Sequence, residues 1–206
     1  LGLSWDLAER HRLAFGFRSP IDVNYEGDLR ISNAVVVPGG RIHTDMDSRI
    51  EFPTTLSVGY GFRVSDRVRI EANLEWLEFS RFEELNLDVP AALPGLNTRI
   101  REDWEDTITV GVGGSWEFAE GWTLRLSYQY FESPVPEVTY SPSIPDANQQ
   151  AVTVGLCWRA GHHRLEAAYG RVFYEDRSIG SNQTAAYLGR YEIEVHLVSL
   201  AYGFSF

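Results

Sequence analysis

The 206-residue chain contains no lysine. All 18 of its basic residues are arginine, set against 29 Asp and Glu for a net charge of −11. A surface this acidic does not attract a phosphate backbone, so a nucleic-acid partner is excluded. Cysteine is almost absent as well. Cys157 stands alone, so no internal disulfide can form. No apolar run reaches 18 residues, which excludes a helical membrane span. No signal peptide precedes Leu1, where a strand pattern has already begun; the expectation is that one was removed or that the chain is a fragment. Apolar residues make up 44% of the chain and the mean hydropathy is −0.22. Neither value excludes a membrane barrel, whose strands spend only alternate residues on lipid.

What is abundant is alternation. From Val198 on, every even position is apolar (Val198, Leu200, Tyr202, Phe204, Phe206), while Ser199, Ala201, Gly203 and Ser205 fill the odd ones. Such a period of two marks a strand with one apolar face. In a soluble domain this edge would invite aggregation; in an outer-membrane barrel it faces lipid. Eight further segments alternate in the same way: 1–8, 13–25, 55–64, 68–76, 104–118, 122–130, 151–158 and 164–173. Tight turns at 9–11, 65–67, 119–121 and 160–162 alternate with loops at about 32–50, 83–103, 133–148 and 177–190. The second loop has room for a short helical turn. The first carries Pro38-Gly39-Gly40, the second Pro90 and Pro94-Gly95, and the third Ser133-Pro134-Val135-Pro136.

Short turns on one side and long loops on the other are the asymmetry of an outer-membrane barrel. Aromatics sort the same way. Trp5, Phe62, Trp116, Phe118, Trp122, Trp158, Tyr202 and Phe204 lie towards the turns. Tyr25, Trp76, Trp104, Tyr128, Tyr130, Tyr169 and Phe173 lie towards the loops. Two belts flanking an aliphatic band form an interfacial girdle. The fold class is therefore all-β, a transmembrane antiparallel barrel. Nine strands are an odd number, whereas complete bacterial barrels have an even one. Residues 1–206 are expected to be the C-terminal part of a single larger barrel domain.

Several stretches in order resemble the FadL-type outer-membrane channels. They are Phe52-Pro53-Thr54-Thr55-Leu56-Ser57-Val58-Gly59-Tyr60, Trp104-Glu105-Asp106-Thr107, Gly121-Trp122-Thr123-Leu124-Arg125, Ser133-Pro134-Val135-Pro136 with Ile144-Pro145-Asp146, Arg164-Leu165-Glu166-Ala167-Ala168-Tyr169-Gly170, and His196-Leu197-Val198-Ser199. The resemblance covers nearly the whole chain. It implies a 14-stranded barrel with an N-terminal hatch, of which these would be the last nine strands. It implies passive uptake of long-chain fatty acids or aromatic hydrocarbons. The family's lateral exit would fall outside this stretch. The terminal aromatic resembles the signal by which the barrel-assembly machinery recognises its clients.

Enzymatic chemistry finds no support. Ser199 and His196 are near in sequence, but a spacing of three in a strand sends them to opposite faces, so a triad hydrolase lacks its base. The adjacent His162-His163 and the other histidines lack metal-ligand spacing, and no cofactor is expected. Acidic Glu102-Asp103-Glu105-Asp106 suits divalent ions shared with lipopolysaccharide, although a solvated surface is the simpler reading. Inward parity falls on Arg12, Arg18, Asp22, Arg69, Glu71, Glu75, Arg125, Arg159 and Glu166. They read first as a salt-bridged lumen and second as a carboxylate site, on which account Arg125 joins the ligand candidates.

In the last strand the parity reverses. Ile193, Val195 and Leu197 are odd and apolar, while Glu192 and Glu194 are even. Either a β-bulge resets the face or these three point inward. In the second case they would join Phe131 and Val172 as a greasy pocket for a hydrophobic cargo. A general water-filled porin is the rival within the channel class, and a barrel hydrolase the rival outside it.

Overall fold

The computed structural model describes residues 1–32, 41–88 and 98–205. Nine strands form one antiparallel sheet: β1 (Gly2–Ala8), β2 (His11–Arg18), β5 (Thr55–Arg63), β6 (Val68–Leu77), β9 (Thr107–Ala119), β10 (Trp122–Phe131), β11 (Gln149–Ala160), β12 (His163–Tyr174) and β15 (Glu194–Phe204), hydrogen-bonded in that order. β3 (Ile21–Ser32), β4 (Arg41–Phe52), β7 (Glu84–Asp88) and β8 (Thr98–Arg101) make a second, four-stranded sheet. β13 (Arg177–Ile179) and β14 (Gly189–Tyr191) pair as a small ribbon.

The short turns share one rim. Each turn bonds to the next across the sheet: Arg63 N to Arg10 O at 2.8 Å, Glu117 N to Arg67 O at 2.8 Å, Arg159 N to Gly121 O at 2.8 Å and Ser205 N to His162 O at 3.0 Å. The long connections leave from the opposite rim, since neighbouring strands are antiparallel throughout. Gly121 at φ 74° and Gly161 at φ 55° supply the left-handed residues two of these turns need.

Register then fixes the faces, because directly opposed residues share a side of the sheet. One row runs Ile70, Gly114, Leu126, Val154, Tyr169, Val198; the next inward row runs Arg69, Ser115, Arg125, Gly155, Ala168, Ser199. The expected sides hold: Val68, Ile70, Leu74, Val110, Val112, Leu124, Leu126, Val154 and Leu156 share one face, and Arg69, Glu71, Arg125 and Glu166 the other. The apolar face is open, with Val198 77% and Leu200 80% exposed. A water-soluble sheet would cover such a face.

Around the turn rim the aromatic belt is continuous. Trp116, Phe118, Trp122 and Trp158 follow one another at ring distances of 5.8, 6.4 and 6.3 Å. Two aromatics expected in the opposite belt lie elsewhere. Tyr25 sits on β3 in the second sheet, and Trp104 precedes β9, edge-on to Phe79 and Phe82 at 5.5 and 4.8 Å.

The loops hold more structure than alternation alone suggested. The expected strand 13–25 breaks at Ser19-Pro20, where proline cannot donate to the ladder. The chain resumes as β3, and the second sheet keeps the order of the strands it extends, β3 from β2, β4 into β5, β7 from β6 and β8 into β9; Asp22 there pairs with Arg49 at 2.8 Å. Most of the expected loop 32–50 is β4, paired with β3 along its length. The stretch 83–103 contains β7 and β8, and the helical turn is a 3-10 turn at Phe79–Arg81, ahead of it. The connection 177–190 holds β13, a 3-10 turn at Ala185–Tyr187 and β14. Pro38-Gly39-Gly40, Pro90, Pro94-Gly95 and the terminal Phe206 lie outside the described residues. Alternating charges on one face of the β3–β4 hairpin masked its strand character.

Candidate functional site

The inner face curves. A cavity of about 550 Å³ is lined by residues of β6, β9, β10, β11, β12 and β15, among them Arg69, Ser115, Arg125, Thr153, Glu166 and Ser199. Its charges are paired. Arg69 Nε lies 2.6 Å from Glu71; Glu166 Oε1 accepts from Arg125 at 2.9 Å and Arg164 at 2.6 Å. Arg12 pairs with Asp6 at 2.6 Å on the same face. Arg125 is thus already engaged, in a salt-bridged lumen wall.

Nearer the loop rim the inner face of β12 and β15 carries apolar side chains, in rows that continue across β10 and β11 through Ser127, Gln129, Gln149 and Thr153. β12 and β15 pair without a register shift, so no bulge intervenes. Val195 opposes Val172, Leu197 opposes Gly170, and Val172 opposes Ala151. Phe131 opposes Gln149, which in turn opposes Tyr174. Phe131, Val172, Val195 and Leu197 therefore share the inner face, one to three inward rows above that of Arg125. Ile193 does not join the ladder; it is half-buried in the link between β14 and β15. Glu194 and His196 turn outward, where Glu194 pairs with Arg171 and the Tyr169 hydroxyl lies 2.7 Å from His196 Nδ1. Ser199 faces inward, away from His196. Among the described residues no group of three or more His, Cys, Asp or Glu is placed to hold a metal ion.

Above the apolar band sits a packed cap that alternation did not announce. Val135, Tyr140 and Ile179 are buried together, with Trp104 and Tyr191 against them. This cluster, not the sheet, is where the chain builds a protein-type core, because only loops clear of lipid need one. Arg177 joins its parts. It donates to the Val135 carbonyl, to the Asp146 carbonyl at 2.9 Å and to Ser133 Oγ at 3.3 Å, and lies over the Tyr140 ring at 5.1 Å. Glu137 accepts from the backbone N–H of Gly180 and Ser181 at 2.5 and 2.9 Å, which holds its carboxyl below the usual range. Thr139 Oγ1 donates to the Glu102 carbonyl at 2.5 Å, and Gln183 donates to the Arg101 carbonyl at 3.0 Å. Burial raises the carboxyls of Glu102 and Asp146 and lowers Arg177. The proline-marked loop 133–148 was the available signal for this cap, but its apolar residues follow no period.

A family model described as outer membrane protein transport protein (OMPP1/FadL/TodX) matches residues 1–206. A putative outer membrane protein of Neisseria meningitidis serogroup B is 25% identical over 232 residues, across 100% of this chain and 50% of its own length. A long-chain fatty acid transport protein of Escherichia coli is 24% identical over 171 residues, across 76% of this chain and 37% of its own. Among solved structures, a Pseudomonas aeruginosa FadL homologue superposes with a TM-score of 0.84 at 22% identity, covering 98% of this chain and 51% of that one. The chain thus spans about half the length, or less, of the curated relatives it matches.

Proposed function

Since the chain belongs to the outer membrane protein transport protein family (OMPP1/FadL/TodX), we propose that it forms the greater part of a barrel wall for passive uptake of hydrophobic molecules, long-chain fatty acids or aromatic hydrocarbons. The observation that carries this reading is the change of character along the inner face. Phe131, Val172, Val195 and Leu197 place an apolar band, bordered by Gln129, Gln149 and Thr153, beneath the cap and above the ion-paired cavity. A hydrophobic cargo gains by contact with such a band, whereas a hydrophilic solute does not. Ile193 stands at the mouth of the band and Arg125 at its foot, where a carboxylate head would compete with Glu166 for the cation. In this reading the nine strands are the C-terminal part of a single 14-stranded barrel, and further strands join the free edges of β1 and β15. Lipopolysaccharide meets the loop rim, and the barrel-assembly machinery meets β15.

The test is uptake by cells producing the complete protein, measured with radiolabelled oleate, toluene and a disaccharide. Val172→Asp and Leu197→Asp should cut uptake of the hydrophobic probes about tenfold, because a carboxylate in the band removes apolar contact and adds desolvation. The heat-modifiable mobility of a folded barrel should remain. Unchanged oleate and toluene uptake in both variants would sink the proposed band. Equal permeation of the disaccharide would favour a general porin instead.

A further inference from the structure

The outer face holds a concavity of its own. Ala167 forms its floor, between Leu156 and Leu200 in one ladder row. Trp158, Leu165 and Tyr202 occupy the row below, with Trp122 opposite Trp158. An alanine among leucines leaves a dent, and these residues, with Glu166 and Ala201, line about 480 Å³. The groove opens at the turn rim, where the chain places His162 and His163.

Those histidines have unusual company. His163 opposes Phe204, and its Nδ1 lies 2.8 Å from the Tyr202 hydroxyl. The Phe204 ring is 5.3 Å from His163 and 5.9 Å from His162. The phenol oxygen can donate or accept here; the site described below uses the tautomer in which the hydroxyl donates to Nδ1 and Nε2–H is left outermost. The device occurs twice. His11-Arg12-Leu13 repeats His163-Arg164-Leu165, and Tyr60-Gly61-Phe62 repeats Tyr202-Gly203-Phe204. The register is the same: His11 opposes Phe62, stacks on it at 4.8 Å, and its Nδ1 lies 2.7 Å from the Tyr60 hydroxyl. A recurring, oriented donor at the rim is a built feature.

The geometry points to a glycerophospholipid site. One acyl chain fills the groove over Ala167, and the lipid phosphate accepts a hydrogen bond from His163 Nε2–H, with His162 beside it. The depth fits, since the Trp122 and Trp158 belt marks the interface and the histidines lie at headgroup level. Charge fits as well: Glu166 of β12 borders the concavity, but its carboxylate is held by Arg125 and Arg164. The inference rests on the barrel's membrane face and not on the identity of its cargo.

The test uses the complete protein in bilayers of phosphatidylcholine carrying equal small amounts of phosphatidylethanolamine and dioleoylglycerol. It is then extracted in octyl glucoside, and retained lipid is counted by native mass spectrometry. One phospholipid should remain, retained about tenfold over diacylglycerol, the scale of one charge-assisted hydrogen bond. Ala167→Phe should lower retention about tenfold, and Ala167→Leu less, while Val112→Phe elsewhere on the same face should leave it intact. His163→Ala should keep a lipid but erase the preference for the phosphate-bearing one. Retention of diacylglycerol equal to phospholipid by the unmodified protein would overturn the site. So would unchanged retention in folded Ala167→Phe and Ala167→Leu, or binding of octyl glucoside alone.

Discussion

Introducing an arginine at Leu126 should cost far more than removing the arginine next to it. Leu126 is 55% exposed on the outer face, between the belt residues Trp122 and Tyr128 on β10. A cation at the lipid midplane of a barrel costs about 2–4 kcal/mol. Snorkelling towards Tyr128 should bring Leu126→Arg to the lower part of that range. Arg125→Leu instead removes one ion pair of 2.9 Å from the wet inner face, and Glu166 keeps Arg164 at 2.6 Å. Exposed pairs of this kind contribute about 0–1 kcal/mol. The two variants should therefore differ by about 2 kcal/mol, or about thirtyfold in the unfolding equilibrium. Leu124→Arg, nearer Trp122 on the same face, should behave like Leu126→Arg. The assay is guanidinium unfolding of the complete barrel in lipid vesicles, followed by tryptophan fluorescence, with the slope checked for constancy. Equal losses would refute the lipid-facing assignment. A loss confined to Arg125→Leu would make the apolar face a protein interior and overturn the membrane barrel itself.

Gly121→Ala should weaken the β9–β10 turn more than Gly161→Ala weakens the β11–β12 turn. Both glycines have positive φ and carry the left-handed penalty of about 1–2 kcal/mol, but a Cβ at Gly121 would lie 2.3 Å from the Arg159 carbonyl while one at Gly161 meets nothing within 4 Å; equal refolding yields in lipid would contradict this. The cap should tolerate mild acid. Glu102 and Asp146 have raised carboxyls, so the folded cap binds their protons more tightly and gains stability as pH falls through those raised values towards the ordinary 4.5 and 3.8. Glu137, held low by the Gly180 and Ser181 N–H groups, contributes stability above the ordinary 4.5 and loses it only as pH falls through its lowered value. Hydrogen-exchange protection at Tyr140 and Ile179, corrected for intrinsic rates, should therefore be no weaker at about pH 5 than at about pH 7; a marked loss by pH 5 would show that another group governs the cap.

Residue order alone settled the barrel sheet, its nine strands, the rim of short turns and which face meets lipid. Each of these follows from a period of two, and a one-residue slip would exchange Leu124 for Arg125 across the whole row. Tertiary structure decided where the pattern changes sheet. Val23 and Tyr25 alternate as well as Leu13 and Phe15 do, and only the ladders show that after Pro20 they belong to the β3–β4–β7–β8 sheet and not to the nine-stranded one. It also chose between a bulge and an inward turn at Val195, since local alternation is the same in both cases and only the unbroken ladder to Val172 separates them. The cap around Arg177 was invisible in one dimension. Val135, Tyr140, Asp146 and Ile179 follow no period, and their burial arises from side chains that three separate loops bring together.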